Sequence, residues 1–357
     1  MLPNLLRFDI NISVNGHATW KILWHLEWVV TLISKEYGGL EWDCVTYGLL
    51  NEAVGYGSIS LSSLFNVHTM VAQTLYKWGT ETQRKRWLEA MSKGEVLGAF
   101  ALTEPDAGSD IKGIKSECKW DGDRLILNGM KRWITFAGIA DIFLVFASIG
   151  GKFTAFILER DTPGLNIIPV KNMLGFRSAH LAVMEFSNCE VQKDNIIGKE
   201  GFAFSHIAPY ALEYGRLSVA WAGLGLLRAC LDSCGEHTLK RKTFGSLLIE
   251  HSVIDKYITD MGVDYEAASL LCYNASKVKD EHLPEATERV MYAKYFTSRA
   301  AARHSANAVQ IMGALGCNES FSVSRYFRDA KVLEIIEGSN EIHQMILGRS
   351  FARKSIL

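Results

Sequence analysis

Lys115-Ser-Glu-Cys-Lys-Trp-Asp-Gly-Asp-Arg-Leu-Ile-Leu-Asn128 reads as a β-hairpin in a chain otherwise patterned for helices. Lys115–Trp120 and Arg124–Asn128 flank Asp121-Gly122-Asp123, a turn whose glycine and aspartates tolerate the positive φ of a tight reversal. The same texture continues on either side. Ile142–Ala147 and Phe153–Leu158 flank Gly150-Gly151, Asp161-Thr162-Pro163-Gly164 sets proline at its favoured turn position, and Leu181–Phe186 supplies a further strand. Short strands at this spacing from Leu97 to Ile197 predict a small antiparallel barrel or sandwich.

Outward from this island the period becomes helical. Before it, Cys44–Tyr56 and Leu61–Trp78 place apolar residues at helical spacing, and Thr80 with Gln83 three residues on resembles a capped start for Arg84–Met91. Trp20–Ile33 reads as a buried helix running into an extended piece. Lys21, His25 and Glu27 interrupt its apolar run, which falls short of the ~18 residues of a membrane span. After Gly201, Phe204–Thr238, Val253–Ser276 and Ala286–Gln310 each show one apolar stripe. In Val253–Ser276 the stripe is Val253, Ile254, Tyr257, Ile258, Met261, Tyr265, Ala268 and Leu271. Long single-stripe helices bury their stripes against one another as an antiparallel bundle. The expectation is a mainly α protein with a central β-domain: helical residues 1–97, β 98–200, and a helical bundle over 201–357.

The net charge of −1 and the absence of a basic block exclude nucleic-acid binding. Seven scattered cysteines do not make a disulfide framework and suggest reduced thiols. With no cationic stretch leading an apolar core at the N-terminus, the expected location is cytoplasmic, without a membrane. Gly223-Leu-Gly225-Leu-Leu-Arg228 lies inside a helix and follows no strand, so it is packing rather than a dinucleotide fingerprint. Walker A, His-Glu-x-x-His and Gly-x-Ser-x-Gly motifs are lacking, as is any His/Cys pair at metal spacing.

Three stretches can bear chemistry. Phe100-Ala-Leu-Thr-Glu-Pro-Asp-Ala-Gly-Ser-Asp110 runs from a strand into a polar turn that could hold an anion or a planar polar ring. Trp133 and Thr135, two apart on a strand, point to one side and could stack on and hydrogen-bond a flat heteroaromatic group. Glu334-Ile-Ile-Glu-Gly-Ser-Asn-Glu-Ile-His-Gln-Met-Ile-Leu-Gly-Arg349 delivers Glu337 on an apolar run to a glycine break, where Ser339 and Asn340 can cap a new helix. A carboxylate in such a joint is costly to bury ionised, so its pKa should rise towards that of a base. A solvated glutamate at a helix boundary is the alternative on this stretch alone.

Taken with Ser34–Leu40, Lys131–Thr135, Arg241–Gly245, Gln310–Ala314 and Arg328–Ala330, in this order and spacing, the chain resembles the acyl-CoA dehydrogenase family of flavoproteins from about Trp20 to Arg349. The resemblance implies an N-terminal helical domain, a β-domain and a C-terminal four-helix bundle. It implies FAD, and a base that removes a proton from Cα of an acyl thioester while a hydride leaves Cβ for flavin N5. Glu337 matches that base and Arg216 an arginine of the substrate region. Phe100, Leu102, Thr103 and Ser109 match the β-domain contacts to flavin and, for Ser109, to the thioester's carrier. Trp133 and Thr135 would flank the isoalloxazine ring. Arg241, Thr243 and Phe244, with Gln310, Gly313 and Ala314, match segments that hold a neighbouring subunit's FAD, implying a homodimer or homotetramer. Ser339, Asn340 and Glu341 match a further FAD loop. Some members place the base beside the arginine, where this chain has Gly215.

Three departures stand out. The family's first N-terminal helix is missing or degraded before Ser34, Ile336 replaces a tyrosine before Glu337, and Ser252 replaces a glutamine after His251. The wording around Ile335–Ser339 and Gly215–Trp221 is similar to the branch acting on hydroxy- or aminoacyl groups of acyl carrier proteins in secondary metabolism. Substrate is therefore expected on coenzyme A or a carrier protein, with an electron-transfer flavoprotein or O₂ as acceptor. A direct oxidase and a non-catalytic relative are the competing readings.

Overall fold

The computed structural model describes residues 31–354. The Trp20–Ile33 helix, up to residue 30, and the question of a first N-terminal helix fall outside them.

Three helices lead. α1 (Cys44–Gly57) starts where the Asp43 side chain accepts from Thr46 N, and α2 (Ile59–Trp78) where Ser58 accepts from Leu61 N. α3 (Glu81–Ser92) opens with the capping box that Thr80 and Gln83 predicted, each side chain accepting from the other's backbone N–H.

The sheet follows. β2 (Glu117–Asp121) and β3 (Arg124–Ile134) pair with Asp121 opposite Arg124, and β4 (Ile142–Ile149) and β5 (Lys152–Glu159) with Ile149 opposite Lys152. Gly150 and Gly151 both adopt positive φ, 53° and 84°, as a two-residue hairpin turn requires. With β1 (Gly98–Ala101), β6 (Leu165–Pro169), β7 (Ala182–Val191) and β8 (Ile196–Ile197) the order is β6-β7-β3-β2-β4-β5-β8, β1 lying beside β4. The hairpins are antiparallel as expected, but β1 and β2 both run parallel to β4, so the sheet is mixed. Neither reaches β4 through a tight turn; each arrives by a longer connection, which allows parallel pairing. β4 lies in the interior, with Phe143, Leu144, Val145 and Phe146 all fully buried.

After a turn of π-helix at Ala203–Ile207 come α4 (Ala208–Thr238), α5 (Ser252–Asp280), α6 (Ala286–Met312), α7 (Ser322–Leu333) and α8 (Asn340–Lys354). A two-stranded ribbon, β9 (Lys242–Thr243) and β10 (Ser246–Leu247), joins α4 to α5. Of the stripe predicted for α5, Met261 and Ala268 are buried and Ile254, Tyr257 and Ile258 pack against the core, whereas Val253, about 100° round the helix from Ile254, is 64% exposed. α4 is the shared axis, touching α1 and α2 on one side and α5, α6 and α7 on the other. At its crossing with α1 a Cβ on Gly225 would stand 2.0 Å from the Glu52 carbonyl, so the backbones approach more closely than any side chain permits. Although α4 is long and apolar enough to cross a membrane, most of its apolar window is buried against these neighbours.

Candidate active site

The chain between α7 and α8 reverses through two consecutive left-handed residues, Glu337 (φ 56°) and Gly338 (φ 93°). A left-handed glutamate is disfavoured by roughly 1–2 kcal/mol, so neighbouring contacts must hold it there. Arg216 Nε on α4 donates to the Glu337 carbonyl (3.1 Å), and Lys294 Nζ on α6 donates to the Gly338 carbonyl (2.7 Å). Asn340 N closes the turn on the Glu334 carbonyl at 2.9 Å.

The Glu337 carboxylate points back towards α2 and α4. Oε1 accepts from Asn66 Nδ2 at 3.2 Å, while Oε2 is buried and meets no hydrogen-bond partner among the described residues. A Cβ on Gly215 would lie 2.3 Å from Oε2 and 2.9 Å from Met70 Sδ, so the carboxylate occupies the space that glycine leaves. Burial pushes the Glu337 pKa up to about 7, against the opposing pull of Arg216, Asn66 and Lys294. A carboxyl poised there, with one oxygen uncommitted, can take a proton near neutral pH.

A second cluster lies on the sheet side. Glu104 and Lys131, both buried, pair at 2.7 Å, and Lys131 Nζ also donates to the Leu102 carbonyl at 3.1 Å. Glu104 further accepts from Lys115 N (2.5 Å) and Ser116 N (3.0 Å). The pair fixes the turn carrying Leu102 and Thr103, and Arg132 N ties it to β3 through the Thr103 carbonyl (2.8 Å). Next to that tie Trp133 is 43% exposed, with the Arg132 guanidinium 4.4 Å from its ring centre. Simple strand alternation does not set its direction. The β3–β7 register shifts between Lys131 and Ile134, Trp133 has φ 63°, and Thr135 lies just past the strand end.

Of the residues singled out from sequence, Glu337, Arg216 and Asn340 thus meet at the corner, and Leu102, Thr103 and Trp133 meet at the turn. Phe100 packs on Phe146 with ring centres 5.1 Å apart, and Ser109 is exposed beyond the turn. Asn340 is buried and its side chain is engaged: Oδ1 accepts from Ser298 Oγ (2.9 Å) and Lys294 Nζ (3.3 Å). Ser339 is partly and Glu341 fully accessible beside it. Arg241, Gln310, Gly313 and Ala314 are exposed, Phe244 is wholly exposed, and Thr243 Oγ1 lies 3.1 Å from His251 Nε2. No described hydrogen bond or ion pair joins this group to Glu337.

Asn66, Met70, Lys294 and the Glu104–Lys131 pairing escaped the sequence reading. Lys294 had a signal: it stands four residues after Val290 and seven before Ala301, on the apolar stripe of its helix.

Sequence profiles of the acyl-CoA dehydrogenase N-terminal, middle and C-terminal domains match residues 3–95, 99–189 and 205–352. The human mitochondrial short-chain specific acyl-CoA dehydrogenase is 32% identical over 90% of this chain and 79% of its own length. The chain belongs to the acyl-CoA dehydrogenase family. Butyryl-CoA dehydrogenase of Megasphaera elsdenii superposes with a TM-score of 0.90 at 33% identity, covering 94% of this chain and 90% of its own. The prolyl acyl carrier protein oxidase AnaB gives a TM-score of 0.89 at 29% identity over the same shares, 94% and 90%. This family member is an FAD-dependent oxidoreductase that dehydrogenates acyl thioesters, with the helix–sheet–helix architecture expected from its sequence.

Proposed function

We propose that Glu337 is the base that removes the Cα proton of a short acyl thioester. The observation that carries this reading is the buried Oε2, unpartnered among the described residues and set in the space left by Gly215. Bound FAD would supply the two-electron acceptor for the hydride from Cβ, so that with the Cα proton taken by Glu337 a Cα=Cβ bond would remain. Gly215 then does more than lack a competing carboxylate: any side chain there would displace the base. Arg216, at the Glu337 carbonyl, borders the region taken by substrate.

The residues on the sheet side suit the cofactor. An exposed indole at Trp133, partly accessible Thr103 and Thr135 hydroxyls and the Leu102 turn make a surface for a flat ring with polar edges. Phe100, Ser109, Ser339, Asn340 and Glu341 complete that contact, with Ser109 reaching the thioester's carrier. Arg241, Thr243, Phe244, Gln310, Gly313 and Ala314 serve a neighbouring subunit's FAD in a homodimer or homotetramer. A phenylalanine left 100% exposed on a ribbon favours a partner surface there.

The substrate is carried on coenzyme A or on an acyl carrier protein, a hydroxy- or aminoacyl group in the second case. The carrier-protein relative supports the latter as its own described chemistry. Electrons pass to an electron-transfer flavoprotein or to O₂, in the cytoplasm. All seven cysteines are free and six are buried, which suits a reducing compartment.

Anaerobic mixing with matched butyryl-CoA and butyryl–acyl-carrier-protein thioesters tests the whole reading. The yellow protein bleaches with one carrier at least tenfold faster than the other, and Glu337→Gln keeps its colour without bleaching. Bleaching retained by Glu337→Gln would remove Glu337 as the base. Stoichiometric peroxide in air would assign O₂ as acceptor.

A further inference from the structure

The Glu337–Gly338 corner is held by two cations from different helices, one on each of its carbonyls. Arg216 takes the first and Lys294 the second. Lys294 is fully buried on α6, 43 residues before Glu337 in the chain. Its acceptors are a main-chain carbonyl and the Asn340 amide oxygen rather than a carboxylate. Desolvating an ammonium for a carbonyl is costly, and the burial lowers the Lys294 pKa to about 7. A core position on an apolar stripe would be served more cheaply by leucine. Ser298 Oγ turns the Asn340 oxygen into the same point, and Asn340 N and Nδ2 reach back to Glu334, so the α7–α8 corner is tied on both sides of Glu337.

We propose that Lys294 is a positioning residue for Glu337: its ammonium grips the Gly338 carbonyl, holds the left-handed corner, and favours the ionised carboxylate ready to accept a proton. The inference rests on Glu337 being the base. The charged and titratable groups around Lys294 are Glu337 and Glu334 at the corner, Arg216 from α4, and Glu341 and His343 from α8. His343 is buried and held neutral, its pKa down to about 3 through burial and the two nearby cations, so it does not substitute for the lysine charge.

The consequence is a charge effect as well as a geometric one. Below neutrality Lys294 bears its proton and opposes protonation of Glu337. Without it, the acid limb of flavin reduction moves to higher pH. A mere packing role would slow or destabilise the enzyme without moving that limb.

The test uses flavin-loaded Lys294→Met, Lys294→Arg and Glu337→Gln beside wild type. The first readout is anaerobic stopped-flow reduction by whichever of butyryl-CoA and butyryl–acyl-carrier protein reduces the wild type, from pH 5.5 to 9. Lys294→Met is expected to reduce at least about tenfold more slowly, as misplacement of a reacting group by a fraction of an ångström would cause, with substrate affinity little changed and the acid limb raised. Lys294→Arg keeps the limb where wild type has it. The second readout needs no turnover: a thermal-unfolding double-mutant cycle between Lys294→Met and Glu337→Gln, in which coupling is present at pH 7 and lost at pH 5.

Wild-type rate and limb in Lys294→Met, or a coupling that does not change with pH, overturns the inference. If Lys294→Met loses the fold or the flavin, Lys294→Gln is substituted, and failure of both assigns the lysine to bundle stability and overturns it too. Should Glu337→Gln still reduce flavin, the reading of the base falls instead, and the pH-dependent coupling alone decides whether Lys294 holds the corner.

Discussion

Two glutamates lie near a lysine in this protein, Glu104 buried outright and Glu337 partly buried with its Oε2 shut off from solvent, and their neighbours give them opposite chemistry. Glu104 accepts two backbone N–H groups and the Lys131 ammonium. Burial alone would raise its pKa, but the Lys131 charge and these donors outweigh it, and the carboxyl is held below the usual range. Glu337 receives one amide donor, keeps one oxygen without a partner among the described residues, and is raised to about 7. Its nearest cations bind backbone carbonyls instead of the carboxylate. The donors and the cation placed directly on the carboxylate separate a structural ion from a carboxyl poised to take a proton.

The sharpest way to break this contrast is to neutralise each carboxylate in turn. Glu337→Gln is expected to lower the rate of flavin reduction by at least about 10³-fold, within the range for losing a general base, with colour intact. Glu104→Gln should do the reverse. It strands Lys131 in the core and costs roughly 3–5 kcal/mol of stability in denaturant unfolding, while the chemistry per bound flavin stays near wild type. Turnover lost in Glu104→Gln at full flavin occupancy would erase the distinction.

Gly215→Ala probes the space that the Glu337 carboxylate occupies beside Gly215. The added Cβ displaces the carboxylate by an ångström or so, and roughly a hundredfold loss in reduction rate is expected, with Lys294 and Arg216 untouched.

pH separates the two sites without mutation. Wild-type reduction should fall as pH drops through about 7, where Glu337 takes up its proton. Stability follows from the same group. Its folded pKa lies above the ordinary 4.5, so the native state holds more protons between the two values, and stability falls as pH rises through that window. Glu337→Gln does not titrate, and it should gain on wild type by up to roughly 3 kcal/mol between pH 4.5 and 8 in urea unfolding. Glu104, depressed, contributes stability that is present above its ordinary pKa and lost on acidification. The smallest effect expected is for Asn66→Ala: losing the amide donor moves the acid limb slightly upward, and an unmoved limb would show that the hydrogen bond does not tune the base.

Most of the fold was legible because its signals are local. Asp121-Gly122-Asp123 and Gly150-Gly151 turn where their backbone freedom predicts, and Thr80 with Gln83 caps α3 by contacts within four residues. The parallel placement of β1 and β2 beside β4 was not legible, since no turn encodes a pairing made across a long connection. Trp133 was found for its residue type, yet the bulge that aims it depends on register with β7.

Sequence alone thus determined the helix–sheet–helix order, the hairpins, the caps and the break at Gly338, all set by backbone preferences and short-range periodicity. It also supplied the carboxyl at position 337. Tertiary structure decided what that carboxyl can do: Asn66 lies 271 residues away in the chain, Arg216 121 and Gly338's lysine 44. A pKa is fixed by the solvent removed and the donors brought near, and only packing brings α2, α4 and α6 to one corner.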